Sequence, residues 1–329
     1  MLETHAFTAL EEAREVMWLE AGNAGHRAEP QCFCKVLANE GNCALQTALL
    51  MRQSWSGDGA LEARDRALVT REKISQCARS LCFVIEVLGP GLLVVKHRIR
   101  TASAKFQNVA VFEGEQVKIL SRQAVDVSDG PALLRSLLAP ESSRPADDEV
   151  GVLLRLAVSM RAHKRGGALL VVPAGTKAWQ ESIVHPIAYA VEPPFTELAD
   201  LLREAPADGQ AAGHLGRVVD AVAGLTAVDG ATLITDRYEL LAFGVKIGRP
   251  DGRPRVERVV VTEPIEGGTA TMVAPVQLGG TRHFSAAQFA QDQPDAVALV
   301  ASQDGRFTLF SWSPRERMVH ALRLETLLL

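Results

Sequence analysis

A mixed β-sheet flanked by helices, preceded by a smaller α+β domain, is the architecture this sequence predicts, and three observations lead to it. Short apolar, β-branched runs recur through the second half of the chain with turn residues between them. Helix-compatible stretches are set among these runs, and a sheet so interrupted buries its faces under the helices. A polar, Pro-containing stretch at 140–149 then separates this half from a first half that has helices and strands of its own. The chain's 329 residues exceed the usual size of one domain, so the division falls naturally into 1–148 and 149–329.

In the first half, 6–20 and 60–81 read as helices, the second with Leu61, Leu68, Ile74 and Leu81 spaced to share roughly one face. Strand-like runs follow at 82–88, 92–99, 109–112 and 117–120, the first two joined by a Gly89-Pro90-Gly91 turn. Such close turn signals predict a small antiparallel sheet. Lys96, Arg98 and Arg100 alternate along one run, as a solvated edge strand or, less favoured, as an anion contact. The five cysteines, Cys32, Cys34, Cys43, Cys77 and Cys82, include no Cys-x-x-Cys pair. Reduced thiols fit that spacing better than a zinc site built from Cys32, Cys34, Cys43 and His26.

The second half opens with a helix at 150–162, whose negative end meets His163-Lys164-Arg165, and a strand at 167–173. Helical stretches come next at 195–203 and 214–225, and the Ala- and Gly-rich 205–216 reads as a long connection able to cover or open a site. Strands are expected at 229–235, 239–247, 256–262, 269–276, 295–301 and 306–312, with one helix, 282–291, inserted. The tail 322–329 ends in three leucines, which either seal the core or form a partner surface.

Charge and hydropathy exclude some classes of function. A net charge of −4 and a pI near 6.1 disfavour broad electrostatic binding to nucleic acid. No apolar run approaches the roughly 18 residues a membrane helix needs, and the start lacks a signal peptide's basic and apolar regions. A cytoplasmic protein is the expectation.

Two strings about fifty residues apart carry the chemistry. Asp229-Gly230-Ala231 leads an apolar run, so its carboxylate is expected on a rigid strand; Gly279-Gly280-Thr281-Arg282-His283 is a glycine turn opening a helix. The first amides of a helix lack internal partners and attract anions, and Arg282 adds a fork suited to phosphate oxygens. An acid for a metal ion, with amides and Arg for phosphates, is the minimum set for metal-assisted phosphoryl transfer. Each string also has a plainer reading. Asp-Gly-Ala can mark a strand edge, Thr281 can be a simple cap, and Asp304-Gly305 fits a hairpin turn.

The order of these strings sharpens the reading. Gly167-Ala168-Leu169, then Asp229-Gly230-Ala231, then Gly280-Thr281-Arg282-His283-Phe284, then an apolar strand ending in Ser302-Gln303-Asp304-Gly305 resembles the diadenylate cyclase domain over roughly 150–312. The resemblance implies condensation of two ATP into cyclic di-AMP and pyrophosphate across a face-to-face homodimer, and a sensor role for the N-terminal domain. It implies Mg²⁺ or Mn²⁺ held by Asp229 and Asp304, with Asp229 also polarising the attacking hydroxyl. Thr281, Arg282 and His283 would hold the β- and γ-phosphates, and Ser302 would add a hydroxyl contact. Gly230 would let the ribose approach the backbone, Ala231 would belong to the nucleotide site, and strand order sets Val245 and Ile247 where they would flank adenine. Three positions depart from the pattern: Val228 replaces His, Phe284 replaces a second Arg, and Gln303 replaces an acid. Phe supplies neither the charge nor the hydrogen bonds of Arg. A nucleotide or cyclic-dinucleotide sensor that keeps the pocket without the chemistry is therefore the alternative, and a purely structural module the third reading.

Overall fold

The computed structural model describes residues 33–38, 82–89, 92–98, 106–113, 116–121, 149–203 and 209–329. The helices expected at 6–20 and 60–81, the polar stretch up to 148, and Cys32, Cys43 and His26 lie outside the described residues. The chain divides into two compact units between Ser121 and Arg122.

The first unit contains a five-stranded antiparallel sheet in sequential order: β1 (Phe33–Ala38), β2 (Cys82–Gly89), β3 (Leu92–Arg98), β4 (Phe106–Glu113) and β5 (Gln116–Ile119). β1 was not expected from the sequence. β3, which carries Lys96, is the middle strand and not an edge, and Leu93, Val94 and Val95 on it are buried in succession, as are Ala110, Val111 and Phe112 on β4. Successive residues of a strand point to opposite faces, so burial in succession means that both faces are covered there.

The second unit is a nine-stranded mixed sheet with helices on both faces. Its elements are α1 (Glu149–Ala162), β6 (Gly167–Val172), β7 (Tyr189–Phe195), α2 (Glu197–Arg203), α3 (Gly209–Leu225), β8 (Ala231–Thr235), β9 (Leu240–Val245), β10 (Val259–Thr262), β11 (Thr271–Val273), α4 (Thr281–Asp292), β12 (Val297–Ala301), β13 (Phe307–Ser313) and β14 (Met318–Arg323). The strand order is β11-β10-β14-β13-β12-β6-β8-β9-β7, with β6∥β8 and β10∥β14 parallel and the other pairs antiparallel.

Alternation along the strands splits the apolar residues into two cores. Leu169 and Val171 of β6 join Val152, Leu156 and Met160 of α1 and Val219 and Val222 of α3 on one face. Ala168, Leu170 and Val172 join Ala286, Ala287, Phe289 and Ala290 of α4 on the other. Each fully buried Leu or Phe contributes about 1.5–3 kcal/mol of transfer free energy. β6 is consequently buried at all six positions, the reason it reads so plainly in sequence.

Several expectations need correction. The segment 205–216 is not simply a connection, because α3 begins at Gly209; residues 204–208 lie outside the described set. The helix expected from 195 starts at Glu197, since β7 runs through Phe195. The strand expected over 269–276 stops at Val273, and Pro275, which has no amide to give a ladder, opens a short 3₁₀ turn. The tail contributes a strand, β14, and then packs Leu324 and Leu328 into the core, so it seals the unit. No described helix is long and apolar enough to cross a membrane.

Candidate functional site

The site is assembled from four loops at one end of the sheet's central strands. α3 unwinds through a turn in which the amides of Thr226, Ala227 and Val228 donate to the carbonyls of Ala223, Gly224 and Leu225 at 3.0–3.1 Å. Asp229 follows in the bend before β8, its side chain 88% exposed, and is not on the strand as the sequence suggested. His163, expected to cap α1, instead lies with Nε2 3.1 Å from the Thr226 hydroxyl, tying the loop before β6 to this turn. Gly230 has φ +113°, and a Cβ there would lie 2.5 Å from the Gly244 carbonyl carbon. Its missing side chain makes room for the β9 backbone, a reason the sequence did not suggest.

The second loop leads into α4. Gly280 is the N-cap and no side chain caps the helix, so Thr281 is the first helical residue and not the cap. The His283 and Phe284 amides turn back to the Gly280 carbonyl at 3.1 and 3.4 Å, while the amides of Thr281 and Arg282 belong to the first turn, where a helix offers none of its own carbonyls. Gly279 is required by His283: a Cβ at 279 would lie 2.4 Å from the imidazole Nδ1. His283 is 2% exposed, stands edge-on to Phe310 at 6.1 Å, and has no hydrogen-bond partner for Nε2 among the described residues. Burial pushes its pKa below the ordinary imidazole value; Arg306 adds to that shift and Asp304 opposes it. The ring is therefore neutral at pH 7.

The third loop is the β12–β13 hairpin. The Ser302 amide donates to the Arg306 carbonyl at 2.9 Å and the Gly305 amide to the Ser302 carbonyl at 3.2 Å, with Gly305 at φ +88°. Arg161 of α1 clamps the turn by donating from Nε to the Gly305 carbonyl at 2.8 Å. Asp304 accepts from the Arg306 amide and pairs with the Arg306 guanidinium, both at 3.3 Å. The plain reading of Asp304-Gly305 as a hairpin turn thus holds as geometry.

The fourth is the end of β9, where Lys246 Nζ lies 2.5 Å from Asp229 Oδ2. Hydrogen bonding to Lys246, then its charge and that of Arg282, hold the Asp229 carboxyl below the usual range.

All four loops face one cavity of about 750 Å³. Its lining contains every residue given a catalytic, metal or nucleotide role from the sequence: Asp229, Gly230, Ala231, Val245, Ile247, Thr281, Arg282, His283, Ser302 and Asp304. It also contains two cations that sequence reasoning missed, Lys246 and Arg306. Lys246 lies between two residues chosen for their apolar character, and Arg306 follows the chosen acid by two positions. Phe284 is not in the lining. It packs on the core beneath α4 with the Arg255 guanidinium 4.5 Å from its ring centroid, a cation–π contact. A second cavity, of about 560 Å³ and lined by Val191 to Leu201, contains none of the chosen residues.

Chemically the main cavity joins three features. Uncapped helix amides with Arg282 and Arg306 favour an anion. Ala168, Val245, Ile247 and Val300 give an apolar strip suited to a flat ring. Asp229 and Asp304 supply carboxylates. No group of three or more His, Cys, Asp or Glu that could hold a metal occurs among the described residues. Two carboxylates suit Mg²⁺ or Mn²⁺ shared with ligand phosphates, and do not make a closed protein cage.

No family model and no curated protein matches this sequence. Among solved structures, the crystal structure of a hypothetical membrane spanning protein from Bacillus cereus is similar at 15% identity and a TM-score of 0.32, over 57% of this chain and 67% of that one. At that score the likeness carries no argument.

Proposed function

We propose that this chain binds ATP in the cavity between β8, β9, α4 and the β12–β13 hairpin, and condenses two ATP into cyclic di-AMP and pyrophosphate across a face-to-face homodimer. One observation carries the reading: residues from three separate sequence motifs and β9, chosen for their chemistry, line a single cavity. The first-turn amides of α4 and Arg282 hold the β- and γ-phosphates, with Thr281 beside them, and His283 contributes a neutral imidazole. Ser302 offers a hydroxyl, and Val245 and Ile247 flank the base. In each half-reaction the 3′-oxygen of one nucleotide attacks the α-phosphorus of the other, its proton leaves, and the bond to pyrophosphate breaks. Asp229 polarises the attacking hydroxyl. Asp229 and Asp304 would hold Mg²⁺ or Mn²⁺, which when bound neutralises charge on the phosphoryl oxygens. A single protomer holds one nucleotide, so the reaction needs two. The reading places the protein in the cytoplasm, and gives the first unit the role of a sensor.

One observation favours the alternative, a nucleotide sensor without turnover. Both carboxylates are engaged by cations of the chain itself, Asp229 by Lys246 and Asp304 by Arg306, and a metal ion must compete with them. The test is incubation of the protein with ATP and Mn²⁺ or Mg²⁺, then chromatography with mass detection, beside Asp229→Asn. We expect cyclic di-AMP from the wild type, none from the variant, and none after chelation. ATP binding without product establishes the sensor, and absence of any nucleotide binding removes both readings.

A further inference from the structure

Arg306 deepens the proposed reading and rests on it. We propose that Arg306, contributed by the β12–β13 hairpin, is a second phosphate-binding cation of the cavity, working with Arg282 at the start of α4 and exchanging its bond to Asp304 for one to the nucleotide's phosphate tail.

Positive charge reaches the cavity from α4, the β12–β13 hairpin and the end of β9. Along α4, the cavity is met by Thr281, Arg282, His283 and Ser285, whereas Phe284 belongs to the packed side under Arg255. The helix therefore brings one guanidinium to its own N-terminus. The hairpin brings another. Gly166 marks the meeting point: a Cβ there would lie 3.3 Å from an Arg282 guanidinium nitrogen and 3.4 Å from Gln303 Cγ, so Arg282 and the turn bearing Arg306 share that junction. Gln303 fastens the junction by donating to the Arg165 carbonyl at 3.3 Å, and Arg161 fixes the turn through Gly305. A mobile loop could not aim a side chain; this turn is anchored on two sides.

The Arg306–Asp304 pair is weak enough to exchange. At 3.3 Å it is longer than a charge-assisted hydrogen bond's usual 2.7–2.9 Å, and both side chains are more than half exposed. Exposed ion pairs of this kind contribute little. Phosphate oxygens accept two parallel bonds from a guanidinium, a geometry the single contact to Asp304 leaves unused. When Arg306 turns to a phosphate, Asp304 is released, so nucleotide binding frees the carboxylate that the metal would need. Lys246, the other cation in the lining, lies at the end of β9 with Nζ 2.5 Å from Asp229 Oδ2.

The test is titration calorimetry on the full chain with ATP, AMP and inorganic triphosphate, without divalent cations, for the wild type, Arg306→Gln, Arg306→Lys and Asp304→Asn. Arg306→Gln should weaken ATP and triphosphate at least about tenfold, the worth of one charge-assisted bond, and AMP less than about twofold. Arg306→Lys should fall between, because Lys keeps the charge and loses the fork. Asp304→Asn should bind triphosphate more tightly, an effect in the opposite sense to damage. Unchanged ATP and triphosphate affinity in Arg306→Gln overturns the inference while leaving the nucleotide reading intact. Binding of triphosphate but not ATP by the wild type, lost in Arg306→Gln, keeps the inference and sinks the nucleotide reading. A wild type that binds neither overturns both.

Discussion

His283 makes the site a participant in the protein's pH response. Its folded pKa lies below the ordinary value of 6.5, so as pH falls the unfolded chain takes up the proton first. The stability tied to the neutral ring is complete above about 6.5 and is lost as pH drops below it. We expect the urea midpoint to fall between pH 7.5 and 5.5, and to fall less in His283→Gln. At the same scale Asp229→Asn should abolish product with no change in the thermal midpoint, because that side chain stands in solvent and supports no packing. Residues such as Asp229, Arg282 and His283 were legible because they sit in short strings whose chemistry is complete locally. Lys246 and Arg306 were not. The partner of Lys246 is 17 positions away, and only the antiparallel pairing of β8 with β9 brings the two together.

Elements reveal themselves in sequence to the extent that they are buried. β6 and β12 are apolar at every position, β8 is apolar but for two threonines, all three are buried throughout, and each was found within two residues or so at either end. β7 escaped because Pro193 and Pro194 interrupt it, which the edge of a sheet tolerates. β14 escaped because His320 and Arg323 break its apolar pattern. The close approach of β8 and β9 gives a prediction proper to this scale. Gly230→Ala must place a methyl 2.5 Å from the Gly244 carbonyl carbon at a φ that L side chains rarely adopt. Overpacking and backbone strain together should cost about 2–4 kcal/mol. Urea denaturation measures it, and a loss below about 1 kcal/mol would show that β9 yields easily.

Among the described residues, both hydrophobic cores of the second unit are made from residues between Val152 and Leu328. A fragment 149–329 should therefore unfold in one cooperative thermal transition, and a broad, featureless melt would count against it. Leu324→Ala, which empties a buried position in the closing segment, should cost about 2–5 kcal/mol in that fragment. The sequence conveyed the class of fold at this scale, since alternating strands and helices with long buried runs leave few architectures. Strand order was beyond it, because neighbours such as β10 and β14 are far apart in the chain and pair in parallel. That pairing has a consequence for biosynthesis. β14 lies between β13 and β10, so a chain made from its N-terminus holds two unpaired inner edges until residues 318–323 have emerged. Completion of the sheet thus waits for those residues to leave the ribosome, and a product stalled before that point exposes both strand edges to aggregation.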